Sequence, residues 1–179
     1  KIDEIPFDFS RRRLTVVLEN NQEQVMITKG AVEEMLQVVS LVKVGEKLLP
    51  VTEELLEQMK KVNEDMNKKG MRVIGVAIKE NVHEHPTYQV EDEEKMLLIG
   101  FVGFLDPAKA SAKSAISELH DYGVDVKVLT GDNLIVAKKV CEDVGIPSKT
   151  GLTGSQLDEL NEAEFLEAVE KYHLFAKLN

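Results

Sequence analysis

PFDFSRRRLTVVLENNQEQVMITKGA, residues 6 to 31 of a 179-residue chain, opens on two aromatics and three arginines and closes on Lys29-Gly30-Ala31. Between these ends, Leu14–Glu19 and Gln24–Thr28 are runs rich in β-branched residues, separated by the polar Asn20-Asn21-Gln22. Two such runs about a short polar turn predict a β-hairpin. Gly30 then breaks the second run. Ala31–Val38 takes helical spacing, with Glu33 and Glu34 in the first turn, where the helix dipole favours them.

The pattern continues in both kinds of element. Leu41–Val44 is a short apolar run and Gly45-Glu46-Lys47 a turn. From Thr52, Leu55, Leu56, Met59, Val62 and Met66 recur at three- and four-residue steps and predict a long helix, ended by Gly70. Arg72–Ile78 predicts a strand, Asn81–Glu94 a polar acidic connection, and Met96–Leu105 a strand buried on both faces. At Asp106-Pro107 the composition changes. Ala108–Tyr122 predicts a helix, Val124–Leu129 a buried strand, Thr130-Gly131-Asp132-Asn133 a tight loop and Leu134–Val144 a helix ended at Gly145-Ile146-Pro147. Leu157–Lys171 predicts a last helix and Tyr172–Ala176 a short strand. Strands alternating with helices through short loops are the α/β pattern. The expected organisation is an α+β domain over 1–105 and an α/β segment over 106–179, hinged at Asp106-Pro107.

Composition narrows the function classes. Apolar residues make up 43% and charged residues 30%, a globular balance. The net charge of −10 argues against a general nucleic-acid binder, which needs excess Lys and Arg for phosphates. The single cysteine, Cys141, excludes an internal disulfide. No apolar run approaches the roughly 18–20 residues that span a bilayer.

Three clusters could carry chemistry. Three arginines beside two aromatics suit phosphate chelation and base stacking, although the pattern alone favours a solvated strand entry with core phenylalanines. Lys29-Gly30, between strand and helix, offers a mobile cation beside a backbone that a ligand can approach, or simply an ordinary turn. Thr130-Gly131-Asp132 stands at the C-terminal end of a strand, where open α/β sheets bind ligands; Asp132 could also N-cap the following helix. Arg72 begins a strand. His83 and His85 share a polar loop without further ligands, so no metal site is expected.

These motifs resemble, in order and spacing, the cytoplasmic region of P-type cation-transporting ATPases. Pro6-Phe7 through Arg11-Arg12-Arg13-Leu14-Thr15-Val16 is similar to the nucleotide-domain segment P-F-x-x-x-R-K-R-M-S-V. Lys29-Gly30-Ala31 resembles the Lys-Gly-Ala motif, Gly70-Met71-Arg72-Val73 the Gly-x-Arg strand, and Asp106-Pro107 the Asp-Pro-Pro hinge. Thr130-Gly131-Asp132 is similar to the Thr-Gly-Asp loop and Phe175-Ala176-Lys177 to the Phe-Ala-Arg/Lys segment.

The resemblance implies the later part of a nucleotide-binding domain, an antiparallel sheet with flanking helices, followed by part of a haloacid-dehalogenase-like phosphorylation domain. Phe7 would stack on adenine and Lys29 would sit beside the base and α-phosphate, with Gly30 letting the ligand close. Arg12 and Arg11 would shape the pocket, Arg72 would hold phosphates and Thr130 the phosphoryl group, with Asp132 beside it. ATP with Mg²⁺ would be the ligand. The Asp-Lys-Thr-Gly-Thr and Gly-Asp-Gly-x-Asn-Asp segments do not occur here, so this stretch would bind nucleotide without turning it over. In the full protein, anchored in the cell membrane with this part on the cytoplasmic side, membrane helices and an actuator domain would be its partners.

The wording of residues 1–9, of Gly103–Pro107 and of Phe175–Leu178 is similar to bacterial magnesium-transporting members. Calcium pumps are the rival within the class. Outside it stand a haloacid-dehalogenase-like phosphatase, for which Asp121 and Asp125 lack the Asp-x-Asp spacing, and an interaction module using the acidic helix 157–171.

Overall fold

The computed structural model describes residues 1–20, 23–80 and 87–178. Asn21 and Gln22 of the predicted turn, and His83 and His85, lie outside the described residues. The chain packs as two units, Lys1–Asn63 with Val73–Gly103, and Glu64–Arg72 with Phe104–Asn179.

A seven-stranded sheet forms the basis of the first unit. Its strands are β1 (Asp3–Asp8), β2 (Arg13–Asn20), β3 (Glu23–Ala31), β4 (Val39–Val44), β5 (Lys47–Pro50), β6 (Met71–Lys79) and β7 (Met96–Leu105). Across the sheet they run β1-β2-β3-β6-β7-β4-β5. The pairs β1–β2, β2–β3, β3–β6 and β4–β5 are antiparallel, whereas β4 and β7 pair parallel. The sheet is therefore mixed where an antiparallel one was expected. Parallel neighbours need a long crossover, and the chain between β4 and β7, including helix α2 (Glu53–Lys68), supplies it.

The β2–β3 hairpin is one-sided. Arg13, Thr15 and Val17 alternate inward on β2 and meet Met26, Thr28 and Gly30 of β3, while Leu14 pairs with Lys29 on the other face. Val17, Met26, Met35, Met96 and Leu98 form the centre of the core, joined by Met59 of α2 and by Tyr88. Each such side chain contributes roughly 1.5–3 kcal/mol through burial.

Several elements differ from expectation: strand β1 was not predicted, and β3 runs through Gly30 to Ala31 because both residues pair with β6, where a break at Gly30 was expected. Helix α1 is only Val32–Met35, because the chain turns at once into β4, with the Val38 amide donating to the Met35 carbonyl. Strand β5 was not predicted; its four residues are all exposed, so no inward–outward alternation marks them. β7 is buried at Met96 and Leu98, but Phe104 and Leu105 are exposed, so only its first half is a core strand.

In the second unit a parallel three-stranded sheet has the order β8 (Val128–Leu129), β10 (Leu174–Ala176), β9 (Leu152–Thr153), with β10 central. Helices α3 (Ala112–Asp121), α4 (Leu134–Val144), α5 (Gly154–Asp158) and α6 (Glu162–Lys171) accompany it. Ala137, Cys141, Val144, Leu174 and Ala176 are buried together. Burial pushes the Cys141 thiol up, which keeps it protonated and inert. The predicted helix over 157–171 is two helices, because Asn161 starts α6 in a capping box with Glu164. Of the predicted strand 124–129 only Val128 and Leu129 pair, and α3 starts at Ala112 rather than Ala108.

Candidate functional site

The first cluster is assembled by a β-bulge. β1 pairs Ile5 with Thr15 and Asp8 with Arg13, so Pro6 and Phe7 together oppose the single residue Leu14. Leu14 pairs with Lys29, and Lys29 with Val76. Phe7, Leu14, Lys29 and Val76 thus stand in one row across four adjacent strands, each about 4.8 Å from the next. Phe7 is 49% exposed and Phe9 80%, with their rings edge to face at 5.3 Å. Lys29 is exposed as well. A large ring and a cation share one surface, while the core lies on the opposite side of the hairpin.

The arginines are placed differently from one another. The Asp8–Arg13 turn closes on Asp8: its carboxylate accepts from the Ser10 amide at 2.7 Å, the Ser10 hydroxyl and the Arg11 amide at 3.1 Å. The Ser10 hydroxyl and the Arg11 amide hold the Asp8 carboxyl far below the usual carboxylate range. Arg12 takes the left-handed conformation at the turn, with φ of 48°.

Arg11 uses its whole fork inside the protein. Nε donates to Asp8 at 2.6 Å, Nη1 to both oxygens of Glu93 at 2.8 and 2.6 Å, and Nη2 to the Pro6 carbonyl at 2.7 Å. Arg13 Nε adds a bond to Glu93 at 2.7 Å, and the Thr15 hydroxyl donates to it at 2.6 Å. Thr15 in turn meets the Thr28 hydroxyl at 2.7 Å. The Glu93 side chain is completely buried. Burial pushes its carboxyl up, but the bonds from Arg13, Thr15 and Arg11 outweigh that and hold it below the ordinary glutamate range. Sequence reasoning left Glu93 in an acidic connection. A signal was present: Arg13 falls in phase with inward-facing Thr15 and Val17, and an inward arginine demands a carboxylate.

Gly30 has a reason of its own. A Cβ there would lie 2.5 Å from Arg13 Cβ and 2.6 Å from the Arg12 carbonyl oxygen. The Ala31 amide donates to that same carbonyl at 3.0 Å. The glycine therefore lets the arginine turn close over β3.

The remaining candidates gather in the second unit. Arg72 Nη2 lies 2.7 Å from Asp132 Oδ2, and Nη1 is 4.0 Å from Asp106. Asp132 is not the cap of α4; Asn133 is, accepting from the Val136 amide at 2.9 Å. Thr130 follows β8, its hydroxyl accepting from the Asp132 amide at 3.1 Å. The segment after β10 braces this loop: the Lys177 amide donates to the Asp132 carbonyl and the Leu178 amide to the Thr130 carbonyl. Pro107 is exposed. A cavity of about 350 Å³, lined by His120, Asp125, Pro147 and His173 among others, opens at the other end of β8 and β10 from Thr130.

Comparison with known proteins decides the kinship. The family described as P-type ATPase, cytoplasmic domain N, matches residues 1–111. This chain belongs to the P-type ATPase family. Among its relatives are a magnesium-transporting ATPase, P-type 1, of Salmonella typhimurium, 43% identical over 99% of this chain. The protein of the same name from Escherichia coli is 39% identical over 99% of the chain. A calcium-transporting ATPase of Listeria monocytogenes is 28% identical over 98%. The chain spans 20% of the length of each of these relatives. No helix among its described residues is long and apolar enough to cross a membrane.

Proposed function

We propose that this P-type ATPase segment presents ATP to the transport cycle of a magnesium pump, as the later part of its nucleotide-binding domain and the start of its haloacid-dehalogenase-like phosphorylation segment. The observation that carries the reading is the row Phe7–Leu14–Lys29, with an aromatic ring and an ammonium exposed on one face of the sheet. Phe7 stacks on the adenine, and Lys29 meets the base edge and the α-phosphate. Arg12 lies at the head of the same turn. Gly30 keeps the turn closed beside Lys29. The magnesium-transporting relatives match at 43% and 39% identity and the calcium-transporting one at 28%, which supports Mg²⁺ as the ion carried.

Arg72 and Thr130 serve the phosphates. The Arg72–Asp132 pair is exposed, and such pairs are weak enough for a triphosphate to compete for the guanidinium. Among the described residues no group of three or more His, Cys, Asp or Glu is arranged to hold a metal. Mg²⁺ comes to this segment with the nucleotide and, in the full-length protein, also serves the phosphorylation site. The acyl-phosphate chemistry, the membrane helices and the actuator domain belong to the rest of the pump, anchored in the cell membrane with this segment on the cytoplasmic side. Asp106 and Pro107 form the hinge between the two domains.

Titration calorimetry with Mg·ATP tests the site. Phe7→Ala and Lys29→Ala are each expected to weaken binding about tenfold, the loss of one stacking or charge-assisted contact, with unchanged melting temperature. Wild-type affinity in both folded variants would remove the row from the site.

A further inference from the structure

The carboxylate of Glu93 bonds to neither Phe7 nor Lys29, yet it holds the turn that follows Phe7 and the strand that pairs beside Lys29. Its two oxygens receive Arg11, Arg13 and Thr15, and its side chain has no exposed surface. Arg11 carries that hold to both sides of Phe7: Nη2 binds the carbonyl of Pro6, the residue before it, and Nε binds the carboxylate of Asp8, the residue after it. Arg13, the second cation on Glu93, is the residue whose Cβ fills the space over Gly30, next to Lys29.

Glu93 is itself fixed. It follows the 3₁₀ turn Val90–Asp92, where the Gln89 amide donates to Asp92 at 2.8 Å and the Glu93 amide to the Val90 carbonyl at 3.1 Å. Lys79 of β6 donates to the Asp92 carbonyl at 3.0 Å, and the Tyr88 amide to Asp3 of β1 at 2.8 Å. The carboxylate is thus an anchored post, while the bulge around Phe7 has no ladder register of its own between Ile5 and Asp8.

We infer that Glu93 is a positioning residue for nucleotide binding: through Arg11 it sets the orientation of the Phe7 ring, and through Arg13 it sets the strand that carries Lys29. The inference rests on the nucleotide reading above. A stacking platform binds well only when its ring is held in place before the base arrives, because otherwise binding must order it. Glutamine at 93 keeps the shape but can present one acceptor oxygen where the carboxylate presents two; it removes the counter-charge that Arg13 has there and leaves Arg11 with Asp8 alone. Arg11→Lys keeps the charge but cannot reach Glu93, Asp8 and the Pro6 carbonyl together.

The test uses the 179-residue chain, Mg·ATP, calorimetry for affinity and proton NMR for the ring-current shift of adenine H2 and H8. Glu93→Gln is expected to lower ATP affinity about tenfold, the size usual for coupling between contacting residues, and to reduce the adenine shift while the chain remains folded. Arg11→Lys is expected to do the same and serves as the test should Glu93→Gln fail to fold. Glu93→Asp, which retains the charge, is expected to recover part of both signals. A merely structural role would lower the melting temperature without changing the adenine shift at saturation. Folded variants with wild-type affinity and wild-type adenine shift would overturn the positioning role and leave the nucleotide reading standing. A wild-type chain that binds no ATP would overturn both.

Discussion

Gly30 shows how one residue can be read two ways. Its motif suggests a glycine kept small for a ligand, whereas the atoms nearest its missing Cβ belong to Arg12 and Arg13, at 2.6 and 2.5 Å. Neither is the free end of a flexible side chain, so the strand pair must move to admit a methyl group. Gly30→Ala is therefore expected to destabilise the nucleotide-free chain by about 1–3 kcal/mol, the usual cost of overpacking, read as a lower urea midpoint at unchanged slope. A variant as stable as the wild type but deficient in ATP binding would show that the glycine serves only the ligand. The arginines divide similarly. Adjacent in sequence, they differ in task because the turn at Arg12 sends Arg11 and Arg13 to Glu93.

Elements were legible where a local pattern and a tertiary demand agreed. The β2–β3 hairpin, α2, β6 and α4 follow from alternation, helical spacing and their end signals, and α4 closes with Gly145 left-handed at φ of 84°. β5 and the parallel β4–β7 pair were not legible, because an exposed four-residue strand carries no burial pattern and strand order is set by long-range packing. The same limit hid the bond between the segment before β7 and the β1–β2 turn, 80 residues apart in sequence at Arg13 and Glu93. That bond has a pH signature. Glu93 is held below its ordinary value of 4.5, so its contribution is complete above that value and is lost as the pH falls through the lowered one. Urea midpoints measured from pH 6 downward should fall steeply in the wild type and less steeply in Glu93→Gln. Parallel curves would mean that Glu93 is not a source of the acid sensitivity.

At the scale of the whole molecule, a chain with a net charge of −10 keeps three arginines in succession and turns two of them inward. What remains outward is an exposed phenylalanine pair and an exposed lysine on one sheet, and, in the other unit, an exposed arginine paired with the Thr-Gly-Asp loop. The membership of the family was written in the order of these motifs; the way Glu93 organises them required the fold. Phe104, Leu105 and Leu129 are apolar side chains left exposed, in a chain that spans 20% of the length of its relatives. The central claim, that the Phe7–Lys29 face receives ATP, is tested most directly by heteronuclear NMR of the wild-type chain titrated with Mg·ATP. The account predicts saturable shifts concentrated on Phe7 to Leu14 and Lys29 to Ala31. A folded chain whose spectrum is unchanged at saturating nucleotide, or whose shifts cluster around His120 and His173 instead, would contradict it.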